Sequence, residues 1–348
     1  MHLGHRFQRL AAPILVLLVS GCAGAGLSSS LPAATGGPGA QGALSTAETV
    51  TRATAKATSA PTATPAPSPS PTPVTYLVGA YVNPDPSASP GLSSIASLQH
   101  ALGRTLNYDL HFYPITYSYP GSDLDYDAAA GLIPIISLKC GTYSNAGIAS
   151  GQYDSEIDAM ANALAGYKRT VLVRYLWEMN SSLVSEDRTA CAGPDDSNGY
   201  FNASDFIAAW DHLRARFLLD GATNVKWFWC PNDDISTLGQ YFPGRSQLDY
   251  VGVDLYDRPS ETYGVYVSHF KQTYSAVEDL GAEKPFIVGE TGATSSEQVS
   301  FFQGLPSLYA AMPAIKAWIY FDAGGSLGNW EVQPDTVEFT AFRNVVAE

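Results

Sequence analysis

The sequence predicts an α/β protein: a closed (β/α)8 TIM barrel over residues 75–348, preceded by a leader and a disordered Pro/Ser/Thr/Ala-rich linker. Three observations carry this prediction. Eight short runs rich in Val, Ile, Leu and aromatic residues recur after Val74, and stretches of helical period separate most of them. The runs are almost continuously apolar, as strands covered on both faces must be. The turn after the first run, VGAYVNPDPS, lacks the glycine-rich phosphate signature that usually opens a doubly wound sheet.

In chain order, residues 1–21 come first. MHLGHRFQRL carries Arg6 and Arg9, and the apolar stretch Leu10–Val19 is too short to span a bilayer as a stable helix, so this segment reads as an export signal. It closes on Val19-Ser20-Gly21-Cys22, which resembles the bacterial lipobox and marks Cys22 for lipidation. The expected location is the outer face of the bacterial cell membrane, held by that lipid alone. The alternative is a protein cut at a nearby small residue and secreted. Residues 22–74 turn to Ala, Ser, Thr, Pro and Gly and end in ATPAPSPSPTP, a composition that buries no core and favours a semi-rigid stalk.

The barrel strands are expected at 75–82, 108–115, 131–140, 170–180, 224–232, 249–257, 284–292 and 315–323. Helical period is clearest in SSIASLQHAL (93–102), SEIDAMANALAGYK (155–168), DFIAAWDHLRARFLL (205–219) and TYGVYVSHFKQTYSAVEDL (262–280). Residues 75–348 have the usual length of one such barrel. The chain carries 19 Lys and Arg against 33 Asp and Glu, net −14. That charge disfavours nucleic acid and anionic surfaces and suits a neutral partner.

Barrel active sites collect at the carboxyl ends of the strands. Lys139, Glu178 with Asn180, Asn232 with Asp233, Asp257, Glu290 and Asp322 fall there. Glu178 ends the fourth strand and Glu290 the seventh, across the barrel mouth from each other. Two facing carboxyl groups are what glycosidic hydrolysis needs, one to protonate the leaving oxygen and one to attack or to activate water. A separation of about 5–5.5 Å would mean retention of anomeric configuration. Each glutamate taken alone is more often a solvated rim residue or a helix cap. Alternation from Arg174 puts its side chain on the face of Glu178, and Tyr256, on the face of Gly252 and Asp254, is placed to donate to Glu290. Trp177, Trp229 and Trp330 stand near strand ends where sugar faces stack on aromatic planes, whereas Trp227 and Trp318 read as packing. His111 reads either as a substrate contact or as a hydrogen-bonded structural histidine.

Apart from Cys22, the cysteines are Cys140, Cys191 and Cys230, an odd number in an oxidising compartment. Cys140 and Cys191 follow predicted strands in loops on one face, so these two are expected to pair. The scattered histidines and cysteines show no metal-ligand spacing, so neither metal nor cofactor is expected.

Several ordered segments now resemble glycoside hydrolase family 26: LGRTLNYDLHFY (102–113), GQYDSEIDAMANAL (151–164), VLVRYLWEMN (171–180) and FIAAWDHLRARFLLDGATNVKWFWCPN (206–232). The likeness continues in YFPGRSQLDYVGVDLYD (241–257), KPFIVGETG (284–292) and NWEVQPDTVEFTAFR (329–343). The resemblance implies a monomeric retaining endo-β-glycosidase with Glu178 as acid/base, Glu290 as nucleophile, Tyr256 as the nucleophile's partner and Trp330 as a platform under the sugar. Its commonest implied substrate is β-1,4-mannan; mixed-linkage β-glucan and β-1,3-xylan are the others. Two departures bear on the substrate: Trp177 stands where family mannanases commonly have His, and Ser181-Ser182-Leu183 follow Asn180 where they often have Gly and Trp. A non-catalytic glycan-binding lipoprotein on the same scaffold is the competing reading.

Overall fold

Eight parallel strands hydrogen-bond in sequence order and close on themselves. They are β1 (Leu77–Val82), β2 (Tyr108–Pro114), β3 (Ile133–Lys139), β4 (Val171–Tyr175), β5 (Val225–Trp229), β6 (Tyr250–Asp254), β7 (Phe286–Thr291) and β8 (Ile315–Asp322). Pairing of β1 with β8 from Leu77 opposite Ala317 to Val82 opposite Asp322 closes the barrel. This computed structural model describes residues 76–83, 92–117, 121–181, 191, 202–281, 283–325 and 328–347. The leader, the linker and Cys22 lie outside the described residues.

Among the described residues eight helices surround the strands: α1 (Ile95–Leu102), α2 (Gly121–Ala130), α3 (Asn145–Ala149), α4 (Asp154–Tyr167), α5 (Ala203–Leu219), α6 (Tyr263–Gly281), α7 (Gln298–Ala310) and α8 (Val337–Ala347). Local chemistry sets several of their ends. Ser94 and Ser97 form a reciprocal capping box on α1, Gly103 closes it in left-handed backbone, and the Asn202 side chain caps α5 through the Ser204 and Asp205 N–H groups. The acid-rich α2 is weakly amphipathic, which explains why helical period does not single it out.

Alternation divides the apolar side chains into two cores. Tyr108, Leu110, Ile135, Leu172, Phe228, Ile287, Ala317 and Ile319 fill the barrel, while Val171, Val173, Val251, Val253, Phe286 and Val288 meet the helix layer. Gly252 lets strands approach closely: a Cβ there would stand 1.8 Å from the Ile287 carbonyl oxygen. Cys140 and Cys191 form a disulfide with Cα atoms 5.6 Å apart, and Cys230 is a buried free thiol. No helix among the described residues is long and apolar enough to cross a membrane.

Candidate active site

The two glutamates reach the mouth by different devices. Strand β4 ends at Tyr175, so Glu178 arrives through a turn rather than by alternation from Arg174. In that turn Leu176 (φ 47°) and Glu178 (φ 53°) take left-handed backbone, which costs about 1–3 kcal/mol for a residue with a Cβ. The neighbouring strands hold it there: Leu176 N–H donates to Leu138 O and Glu178 N–H to Cys230 O, each at 2.9 Å.

Glu290 owes its aim to broken register. Ile287 faces the barrel interior, so strict alternation would send Gly289 inward and Glu290 out to the helices. Pairing shifts between Val253 and Asp254 against β6, and between Val288 and Thr291 against β8. Irregularity of this kind turns a side chain to the other face, and Glu290 lies inside, 3% exposed. Only glycine fits before it. A Cβ at Gly289 would stand 2.3 Å from Cys230 Sγ and 2.6 Å from Asp254 Oδ1.

Both Glu290 oxygens are taken by donors. Arg174 Nη2 donates to Oε1, and the Tyr256 hydroxyl donates to Oε2 at 2.5 Å. Arg174 is itself locked, with Nη1 donating to Asp254 Oδ1 and Oδ2 at 2.9 and 3.0 Å and Nε to Ser137 Oγ at 2.9 Å. Burial opposes its charge, and Asp254 and Glu290 more than offset that, keeping the guanidinium protonated. A donor on each oxygen fixes the orientation of the Glu290 carboxyl group.

Glu178 sits in the opposite electrostatic setting. Burial first, and the charge of Glu290 second, push its carboxyl up to about 7, while a hydrogen bond from Asn232 Nδ2 to Oε1 at 3.2 Å and the charge of Arg174 pull the other way. The pair thus sets a glutamate fixed by two donors beside a carboxyl raised to about 7, an arrangement that can serve as nucleophile and acid.

Aromatic rings frame this pair. Trp177, half-buried, meets the edge of Phe112 at 4.8 Å, and Lys139 Nζ lies 5.7 Å from its ring centroid. Tyr81 stacks on Phe321 at 4.9 Å, and Phe321 meets Tyr256 edge-on at 5.8 Å. Trp330 leans on Tyr256 with centroids 4.4 Å apart, and its indole N–H donates to Asp257 O at 3.3 Å. Tyr81, Phe112 and Phe321 escape the sequence reading because they look like core, yet they share parity with the interior residues Gly79, Leu110 and Ile319.

Four candidate site residues engage their side chains in contacts within the protein. Arg174 is fully buried and acts on Glu290 rather than on a sugar. Asn180 is also fully buried; its side chain accepts from Asn232 N–H at 2.7 Å and donates to Asn232 O and Asp234 O at 3.2 and 3.0 Å. It therefore holds the loop that presents Asn232 to Glu178. Trp229 is a packing residue: parity with Trp227 turns it to the helix layer, where its N–H donates to Tyr241 O at 2.9 Å and its ring meets Phe242. His111 lies on the face of β2 opposite Phe112, and its Nε2 stands 2.8 Å from Asp127 Oδ2 on α2, the structural alternative. Among the described residues one group offers metal-ligand atoms mutually within 4.8 Å: Asp109, His111 and Asp127, on that same outer face. The sequence expectation of no metal site rested on local spacing, and these three come together only through packing of α2 on β2.

No family model matches the chain. Endoglucanase H of Acetivibrio thermocellus is 31% identical over 225 residues, covering 61% of this chain; the chain spans 24% of that relative's length. Among solved structures, a GH26 β-mannanase of Bacteroides ovatus superposes with TM-score 0.56 at 14% identity, covering 78% of this chain and 87% of that one. The catalytic domain of the Bacillus sp. JAMB-750 GH26 endo-β-1,4-mannanase gives 0.59 at 13%, covering 79% and 86%. A modular endo-β-1,4-mannanase of Cellulomonas fimi gives 0.57 at 14%, covering 79% and 71%. Eight parallel strands closed in sequence order give this chain the fold of the family 26 β-mannanases.

Proposed function

We propose that the chain is a retaining endo-β-glycosidase of glycoside hydrolase family 26. The contrast between the two glutamates carries this reading: Glu290 is held by a cation and a phenol, and Glu178 is raised to about 7. In the first step a Glu290 oxygen bonds to the anomeric carbon while Glu178 gives its proton to the departing glycosidic oxygen. In the second, Glu178 takes a proton from water, whose oxygen displaces Glu290 and restores both residues. Tyr256 and Arg174 keep Glu290 aimed, and Asn232 does the same for Glu178. Trp177 and the rings around it offer apolar planes to sugar faces, while Trp330, 5% exposed, backs the Tyr256 ring.

The substrate we propose is a β-linked polysaccharide with a glucan backbone. The endoglucanase relative shares about twice the identity of the mannanases named above, and the departures at Trp177 and after Asn180 separate the chain from the mannanase pattern. β-1,4-Mannan is the second reading, favoured by those fold neighbours. A panel of barley β-glucan, glucomannan, galactomannan and β-1,3-xylan, with Glu178→Gln and Glu290→Ala as controls, tests the proposal. Oligosaccharides released from β-glucan and absent with both variants support it; release from galactomannan alone moves the substrate to mannan. Silence on every polymer, with binding retained, replaces the enzyme by a glycan-binding protein. The leader and lipobox-like segment support a further proposal, export and lipidation at Cys22, which fatty-acid labelling lost in Cys22→Ala would bear out.

A further inference from the structure

Strand β2 has a second face. Tyr108, Leu110 and Phe112 turn into the barrel, so Asp109, His111 and Tyr113 turn outward against α1 and α2. Three carboxylates gather there around one imidazole. His111 Nε2 lies 2.8 Å from Asp127 Oδ2 and 3.7 Å from Asp109 Oδ2, and the Asp109 and Asp127 carboxyl groups are within hydrogen-bonding reach of each other. Asp123, which accepts the Tyr113 hydroxyl, adds its charge to both Asp109 and His111.

The cluster is not a solvated acidic surface. The Asp127 side chain is 0% exposed and that of Asp109 8%, and Asp127 Oδ1 is buried with no hydrogen-bond partner among the described residues. The ion pairs of Asp109 and Asp127 among the described residues run to His111 alone. The buried Asp127 oxygen without a partner and the close approach of the two carboxyl groups leave polar atoms here that the protein itself does not satisfy. A cavity of about 390 Å³ opens beside them, walled in part by Asp109, His111, Asp123, Ser94, Tyr113 and Tyr126, and gives solute a way in.

We propose that Asp109, His111 and Asp127 form a binding site for one divalent transition-metal cation, with Zn²⁺ the best match, on the outer face of β2 and distinct from the two glutamates. One imidazole nitrogen and two carboxylate oxygens are a donor set that zinc accepts, and a water from the cavity supplies the fourth position of a tetrahedral site. The ligand atoms already lie within 4.8 Å of one another. Zinc displaces the proton on His111 Nε2 and any proton shared by the carboxyl groups; these leave to solvent, and the dication balances two carboxylates. The bound metal ties α2 to β2, whose Phe112 forms part of the aromatic mouth.

The test uses the full chain without an affinity tag, stripped with EDTA and titrated with ZnCl2 by calorimetry, with metal counted by mass spectrometry after gel filtration. The proposal expects one zinc retained per chain and a Tm that rises with zinc. His111→Gln on β2 and Asp127→Asn on α2 should each weaken binding by at least about tenfold and abolish the Tm response. Circular dichroism establishes that the variants are folded; if one is not, Asp109→Asn replaces it. No stoichiometric zinc on the wild-type chain overturns the proposal, as does zinc retained equally by the folded variants, which would place the metal elsewhere. A wild-type Tm that responds to pH but not to zinc overturns it in favour of a shared proton.

Discussion

Asn232→Ala tests how the proposed general acid, Glu178, is tuned. Burial and then Glu290 raise the Glu178 carboxyl to about 7, and the Asn232 amide opposes them with a hydrogen bond at 3.2 Å to Oε1. That bond favours the ionised form. Hydrogen bonds to charged groups contribute about 1.5–3 kcal/mol, and charge-assisted bonds of full strength are about 2.7–2.9 Å long. This longer one falls just below that range of energies, roughly 1.4 kcal/mol or one pKa unit. The sign follows from the role: the protonated form serves the first step, so kcat/KM falls as pH rises through the Glu178 pKa. The wild-type alkaline limb is therefore expected near 7, and Asn232→Ala should move it up by about one unit. Initial rates on β-glucan well below KM, from pH 5 to 9.5, measure the shift. A limb that stays in place, or moves to lower pH, refutes the reasoning.

Other perturbations separate chemistry from packing. Glu178→Gln should lower activity on polysaccharide by roughly 10²–10⁴-fold yet spare much of the first step on an aryl β-glycoside whose leaving group needs no proton; equal loss on both substrates would contradict an acid role. Trp229→Ala should cost about 3–5 kcal/mol of stability in urea unfolding without a selective loss of sugar affinity. Asp322 is 3% exposed, its Oδ2 has no partner among the described residues, and burial raises its carboxyl to about 7. The folded state therefore holds this proton more tightly than the unfolded chain, whose pKa is about 3.9, and the associated stability is full below that value and lost as pH rises to 7. The Tm advantage of Asp322→Asn over wild type should widen between pH 4 and 7.5; a constant difference would remove the linkage.

The barrel is legible in the sequence because each strand is buried on both faces, and its near-continuous apolar runs leave little ambiguity. Sidedness is harder. On β6, Gly252 and Asp254 mark the inner face, and Tyr256 follows from them by parity. On β5, Val225, Trp227 and Trp229 are as apolar as Phe228, so nothing local tells which face meets the helices, and Trp229 is misplaced. His111 has the same difficulty on β2, and its neighbour Asp127 arrives from a helix of weak period. Glu290 is the opposite case: its motif names it, while strict alternation would point it outward, and the shifted register of β7 resolves the conflict. Burial separates the remaining roles. Arg174 and Asn180 lie at the strand end with the glutamates, but no sequence pattern shows that their polar atoms are consumed inside the protein.

The central claim is that Glu290 forms a covalent glycosyl intermediate. A slow 2-deoxy-2-fluoro β-glycoside, followed by proteolysis and mass spectrometry, should add one sugar to the peptide holding Glu290, and proton NMR of early hydrolysis products should show the β-anomer first. An α-anomer appearing first, or an adduct on any other residue, would contradict the account.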